Sequence, residues 1–347
     1  MKHFYAILIL FCVVQASAQD IHFSQYYAAP VHLNPALTAN VNGVFRVAAN
    51  YRNQWFIVPT QNQKAPYQTF QGSFDMPILR DKLGNDGFGF GLNVYHDRAG
   101  NGVLATTSAL ASIAYHKAVD RYGRSRISFG LQAGIVSKRV NISNLIFENQ
   151  FDQSIGFWNE SLSNGETGYS SGSILYPDVA IGALWSSAPK TKFRYYLGFG
   201  ANHLSRPRES FLGDDRNRLP VRYVVHGGME IFTSNRQDFS FAPTFLMLLQ
   251  NNAQQYQAGL GFNYDYSDDL GYFGSVSARF NPGGSDAVIV GVGMEFYNVR
   301  LGVSYDVNFS GLRTATRAQG ALEVGVVYVF RKEKQGPVQY HSYCPRF

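Results

Sequence analysis

The sequence predicts an all-β protein: a transmembrane, outer-membrane antiparallel β-barrel of about fourteen strands. Three observations carry this. Apolar residues recur with a period of two, segment after segment. No stretch beyond the first residues is long and apolar enough for a membrane helix. The connections between the expected strands are unequal in length, and the longest fall on one side of the barrel.

The chain opens with Met1, Lys2 and His3 and an apolar run from Phe4 to Val14, followed by Ala16-Ser17-Ala18. The run is about half the roughly twenty residues a membrane helix needs. A positive start, a short apolar stretch and a small-residue site make 1–18 a secretory signal peptide, with cleavage after Ala18. Phe11 before Cys12 argues against lipidation there, since such sites need a small residue in that place. Without the leader, the lone cysteine is Cys344, which excludes an internal disulfide.

The 347 residues have a high aromatic content of 15%, a low charged content of 16%, and 34 glycines. The net charge of +6, about +5 without Lys2, is spread thinly. Nothing resembles a nucleic-acid-binding stripe, and no Cys/His cluster has zinc spacing. A chain that enters a membrane without helices must do so as a closed barrel, which satisfies every backbone group in lipid.

The strand signal is repeated alternation. Phe88, Phe90, Leu92 and Val94 are separated by Gly89, Gly91 and Asn93. Ile127, Phe129, Leu131, Ala133 and Ile135 alternate with Ser128, Gly130, Gln132 and Gly134. Tyr256 to Tyr264 and Val299 to Val307 repeat the pattern. Each such run has one apolar face and one small or polar face. A soluble sandwich would put charge on its second face; here that face is rich in Gly, Ser and Asn. Fourteen strands are expected near 43–55, 66–76, 87–97, 103–117, 126–137, 177–186, 193–202, 221–233, 238–249, 254–265, 270–280, 286–297, 299–308 and 319–330. Trp55, Tyr95, Tyr115, Trp185, Tyr223, Tyr264, Tyr297 and Tyr328 stand near strand ends and are expected in interfacial girdles. With the amino terminus periplasmic, the three longest connections, 138–176, 203–220 and 309–318, lie outside, as is usual for outer-membrane barrels; the outer connections near Gly100, near Asn251 and at Asn281–Ser285 are short, and the inner one at 77–86 is longer than that rule expects. The last strand alternates and ends on Phe330, and a tail, 331–347, follows, expected on the periplasmic side because the strand count is even.

No enzyme, cofactor or metal is expected. His226 sits on the polar side of its strand and is read as a lumen wall residue, the alternative being half of a Ser–His hydrolase pair. There is no G-x-S-x-G motif. Asp214-Asp215, between Arg208, Arg216 and Arg218, are read as a solvated loop of mixed charge. The glycines of Gly87-Phe-Gly-Phe-Gly91 have strand spacing and face a crowded lumen. Residues 19–42, aromatic and with two prolines but no good strand, are expected to be either a lumen plug or a periplasmic docking segment.

Three elements near the start carry a resemblance. Phe23-Ser24-Gln25-Tyr26-Tyr27, then Leu33-Asn34-Pro35-Ala36-Leu37-Thr38, then Tyr51-Arg52-Asn53-Gln54-Trp55, stand in the order and spacing of the "FSQY", "NPA" and "YRxQW" elements of the PorP/SprF family. That family has Gly after its NPA element ("NPAxxG"). This chain has Ala39-Asn40 there, and Gly43 follows slightly later. The resemblance implies an outer-membrane component of the type IX secretion system. It would help export, or anchor at the surface, a large adhesin-like client with a C-terminal sorting domain. Its expected partners are that client, the secretion machinery on the periplasmic side, and the membrane's own lipid and lipopolysaccharide. Phe23, Ser24, Gln25, Tyr26, Asn34, Pro35, Ala36, Tyr51, Arg52, Gln54 and Trp55 are the residues it offers as a partner-binding set. The alternative is a fatty-acid-type or small-solute transporter with an N-terminal plug, which would need an apolar or charged path. The lumen face reads as small and neutral.

Overall fold

The computed structural model describes residues 20–56, 67–79, 83–100, 104–141, 148–159, 161–163, 172–211, 216–267, 269–311 and 313–331. The expected leader 1–18, Asp214-Asp215, and the tail after Arg331, with Cys344, lie outside the described residues.

The strands are β1 (Phe45–Gln54), β2 (Tyr67–Ile78), β3 (Gly87–Ala99), β4 (Leu104–Ala118), β5 (Ser125–Val140), β6 (Phe151–Asp152), β7 (Phe157–Trp158), β8 (Gly172–Lys190), β9 (Phe193–Asn202), β10 (Arg222–Phe232), β11 (Phe239–Gln250), β12 (Ala253–Asp265), β13 (Leu270–Asn281), β14 (Gly284–Phe296), β15 (Val299–Asn308) and β16 (Gln319–Phe330). β6 and β7 form a small separate hairpin; the other fourteen make one closed barrel. Every neighbour is antiparallel, and β1 closes on β16 from Phe45↔Phe330 to Gln54↔Ala321. Closure leaves no open edge, whose unpaired amides and carbonyls would be costly in hydrocarbon.

Alternation is inverted relative to a soluble protein. Phe129, Leu175 and Val292 are exposed on the outside, while Gln71, Asn93, Asp75 and Glu323 are buried within. This is the pattern expected when lipid is the outer solvent. Aromatic contacts collect at the end where the connections are shorter: Phe45–Phe330 at 5.2 Å, Phe88–Tyr115 at 4.9 Å and Trp185–Tyr195 at 5.2 Å. Tyr95 corrects the girdle expectation. It lies on the inward series of β3 with Gly89, Gly91 and Asn93, and is buried in the lumen beside His32 at 5.5 Å.

β8 begins at Gly172, five residues before the alternation suggested, and carries Pro177 inside it. Its ladder with β9 starts only at Ile181. Pro177 therefore lies where β8 projects past its neighbour, a position where a missing N–H costs no ladder bond. The long outer connection is correspondingly 141–171 rather than 138–176.

Candidate functional site

Residues 20–42 fill the lumen from one end to the other. Pro30–Leu33 form a single helical turn, α1, between two 3-10 turns at Tyr26–Ala28 and Pro35–Leu37. Prolines at the first positions of the last two suit helix starts, where no N–H is needed. Asn34 caps the last turn, its Oδ1 accepting from the Ala36 N–H at 2.9 Å.

At the outer end, where the long connections lie, His203 is held between two carboxylates. Its Nε2 is 2.5 Å from Asp20 and its Nδ1 is 2.9 Å from Asp178. Burial opposes the imidazolium, but Asp20 and then Asp178 override it and push the pKa up to about 10. Arg222 donates to the Ile21 carbonyl at 2.9 Å.

Below this lies a buried ionic cluster. Glu323 accepts from the backbone N–H groups of Ser24 at 2.7 Å and Gln25 at 2.8 Å, and it pairs with Arg52. The Ser24 hydroxyl donates to Asp306 at 2.8 Å and accepts from Arg52 at 2.9 Å and Arg279 at 3.0 Å. Asp306 also pairs with both guanidiniums, Arg52 at 3.2 Å and Arg279 at 2.9 Å. Buried charges persist only when paired and hydrogen-bonded, and here the partners come from the plug and four strands, β1, β13, β15 and β16.

At mid-depth, Asn34 donates to the carbonyls of Ala183 at 3.2 Å and Phe199 at 3.1 Å. His226 Nε2 lies 3.0 Å from the same amide nitrogen. His226 thus serves as a lumen wall residue seating Asn34. Tyr26, Leu33, Ala36 and Leu37 pack with Leu184, Tyr196, Val224, Leu246 and Leu248 into one apolar cluster. At the inner end, Ala39 N–H donates to Asp75 at 2.5 Å, and Arg46 spans Asp75 at 2.7 Å and the Leu37 carbonyl at 3.0 Å.

The barrel makes room for this chain with rows of small residues. Gly130, Gly182 and Gly200 pair across β5, β8 and β9. A Cβ on Gly130 would lie 2.2 Å from the Pro35 carbonyl carbon, and one on Gly182 would lie 1.9 Å from Asn34 Oδ1. On the opposite wall Gly302 pairs with Gly325, and a Cβ there would strike Gln25 Oε1 at 2.6 Å or Ala28 Cβ at 2.8 Å.

The structure therefore joins motif residues distant in sequence. Ser24 and Gln25 are held against β1, β15 and β16, Tyr26 packs against β8 to β11, Phe23 is buried edge-on to His32 of the plug itself at 5.7 Å, and Asn34, Pro35 and Ala36 lie against β5, β8 and β9. Arg52 points inward to Ser24, and its Nη2 reaches Gln54 at 3.4 Å. Tyr51 points outward, and Trp55, at the outer rim, packs edge-on against Tyr67 at 5.1 Å.

The expectation of a neutral lumen fails. Arg46, Arg52, Arg222, Arg279, Asp75, Asp178, Glu230, Asp306 and Glu323 all face inward and are buried. In the sequence each stands as a lone charge, and its partner, even where it is directly opposite on the adjacent strand as in Arg46↔Asp75 and Arg52↔Glu323, is revealed only by the register. Inward parity was the available signal, as with Asp306 between Tyr305 and Val307.

The fold and its filled lumen define a class: a plugged, fourteen-stranded outer-membrane barrel. The chain belongs to the family described as "Type IX secretion system membrane protein PorP/SprF", whose model matches residues 15–328. No curated protein matches the chain. Among solved structures it is similar to the Pseudomonas putida toluene transporter TodX, at 10% identity and a TM-score of 0.51, covering 90% of this chain and 94% of that one. It is likewise similar to the Ralstonia pickettii toluene transporter TbuX, at 12% identity and a TM-score of 0.50, covering 88% and 94%. At such identities the likeness is one of fold.

Proposed function

We propose that this protein serves type IX secretion as a surface anchor. It would hold, or help export, an adhesin-like client through that client's C-terminal sorting domain. The observation that carries the reading is the plug, fixed by the Asp20–His203 pair at its outer end and by amide hydrogen bonds to the buried carboxylates Glu323 in the upper lumen and Asp75 at the inner end. A lumen so filled suits a rigid platform better than a conduit. The outer connections 141–171 and 203–221 supply the client-facing surface. The first holds the β6–β7 hairpin, whose Phe157 and Trp158 are exposed. The inner rim faces the machinery. Phe23–Tyr26, Asn34–Ala36, Arg52 and Gln54 contribute by holding the plug that shapes both ends, and Tyr51 and Trp55 contribute at the membrane face and outer rim. Cleavage after Ala18 would leave the mature chain starting one residue before the Asp20–His203 pair, which amino-terminal sequencing would check.

The test is a pull-down of the tagged protein from gently solubilised membranes after crosslinking, with and without residues 142–171. The expected result is a large secreted protein ending in a sorting domain, lost with the deletion. Recovery of the barrel alone at good yield would overturn the anchor reading. It would favour a small-solute transporter, for which a plug is also a natural part.

A further inference from the structure

The lipid-facing wall carries two guanidiniums, Arg98 and Arg139, that pair with no carboxylate among the described residues. Arg98 of β3 belongs to the outward series Leu92, Val94, His96, and Arg139 of β5 to the outward series Leu131, Ala133, Ile135, Ser137; both arginines are exposed. In the ladder both are opposite Ala105, which separates them across β4. Strands spaced at ~4.8 Å set the two backbones about 10 Å apart on one face. Ser173 of β8 continues the row beyond Arg139. Below it runs His96, Thr107 and Ser137. The small residues between the arginines leave the space open. Among the described residues neither arginine has a carboxylate partner: adjacent Asp97 faces inward to Thr69 at 2.6 Å, and adjacent Lys138 faces inward to Glu209.

Depth in the membrane follows from the register. The row Phe88–Tyr115–Phe129 lies in the inner aromatic girdle. Arg98 follows Phe88 by ten residues on the same face, about 33 Å along the strand at ~3.3 Å per residue. A tilt of about 40° reduces that to a height of about 25 Å, the full thickness of the apolar band of an outer-membrane barrel. The arginines therefore stand at the outer headgroup level, directly above Val94, Ala109 and Ile135, where acyl chains would lie.

We propose that Arg98 and Arg139 form a binding site for a phosphorylated glycolipid headgroup of the outer leaflet, with its acyl chains on the apolar wall below. Guanidinium forks suit phosphate oxygens, and two of them about 10 Å apart fit a ligand that presents phosphate on an extended headgroup. The acyl-chain wall beneath selects a lipid over a free anion. The site does not depend on the secretion role.

The test compares wild-type protein with the Arg98→Glu/Arg139→Glu double variant. Both are reconstituted into phosphatidylcholine nanodiscs doped with phosphorylated lipid A or with its dephosphorylated form, and retained lipid is read by native mass spectrometry. Wild type is expected to retain the phosphorylated lipid selectively, and the variant to retain it roughly thirtyfold less, on the scale of two basic residues at an anionic surface. Unchanged heat-modifiability on gels shows that the barrel is intact. If charge reversal prevents insertion, Arg98→Ala/Arg139→Ala carries the same comparison. Equal retention by variant and wild type would overturn the proposal. So would equal retention of the dephosphorylated lipid, or inorganic phosphate displacing the bound lipid as effectively as an equal concentration of free phosphorylated lipid A.

Discussion

Ala39, at the last position of the NPAxxG-like element, has a φ of +58°. An alanine in that left-handed region costs about 1 kcal/mol or more. The turn survives because Asp75 accepts the Ala39 N–H and Arg46 locks Asp75 in turn. Ala39→Gly is therefore expected to stabilise the plug by about 1 kcal/mol, seen as slower proteolysis of the amino-terminal segment. Glu323→Ala works in the opposite direction. It removes the acceptor of two plug amides and leaves Arg52 with Asp306 alone, a loss of about 3–5 kcal/mol for a broken buried pair. Protease access to residues 20–42 should rise sharply, and an unchanged digestion rate would refute the assigned role. Asn34→Ala leaves the barrel face intact but removes the amide bridging β8 and β9, with an expected loss of about 2 kcal/mol in thermal unfolding.

At the scale of elements, the plug and the glycine rows are matched surfaces. Gly182 packs beneath Asn34 so tightly that even one methyl group there must displace the plug. Gly182→Ala should reproduce the loss of thermal stability of Asn34→Ala, whereas Gly72→Ala, where a Cβ meets nothing within 4 Å, should change little. The outer end adds a pH response. His203 is raised from its ordinary value near 6.5 to about 10. Its contribution is therefore complete below about 6.5 and fades as pH rises through about 10. Outer-end protection from proteolysis should fall over that window in the wild type. In His203→Gln it should be low and flat throughout, and a wild-type decline retained in that variant would exclude His203 as its source.

At the scale of the whole molecule, a plug held by an ion pair at its outer end and by hydrogen bonds to buried wall carboxylates in the upper lumen and at the inner end predicts a quiet barrel. Purified protein in planar bilayers is expected to show little conductance, and Glu323→Ala to show frequent opening events. Sustained conductance by the wild type would mean that the lumen is not sealed under the assay conditions, and would move the function toward transport.

The sequence by itself determined the barrel, its fourteen strands and the side on which the long connections lie. Period-two alternation and turn spacing are local properties, and lipid outside a closed sheet makes them unambiguous. It also marked the motif segment as important through its aromatics and prolines. Only the tertiary structure decided that the segment is a plug, that Ser24 meets Arg52, Asp306 and Glu323, and that Asn34 rests on Gly182. Those contacts join residues as far as 299 positions apart, and no local pattern encodes which inward positions of a closed cylinder face one another across its axis. Barrel closure and strand stagger set that, and they are properties of the whole sheet.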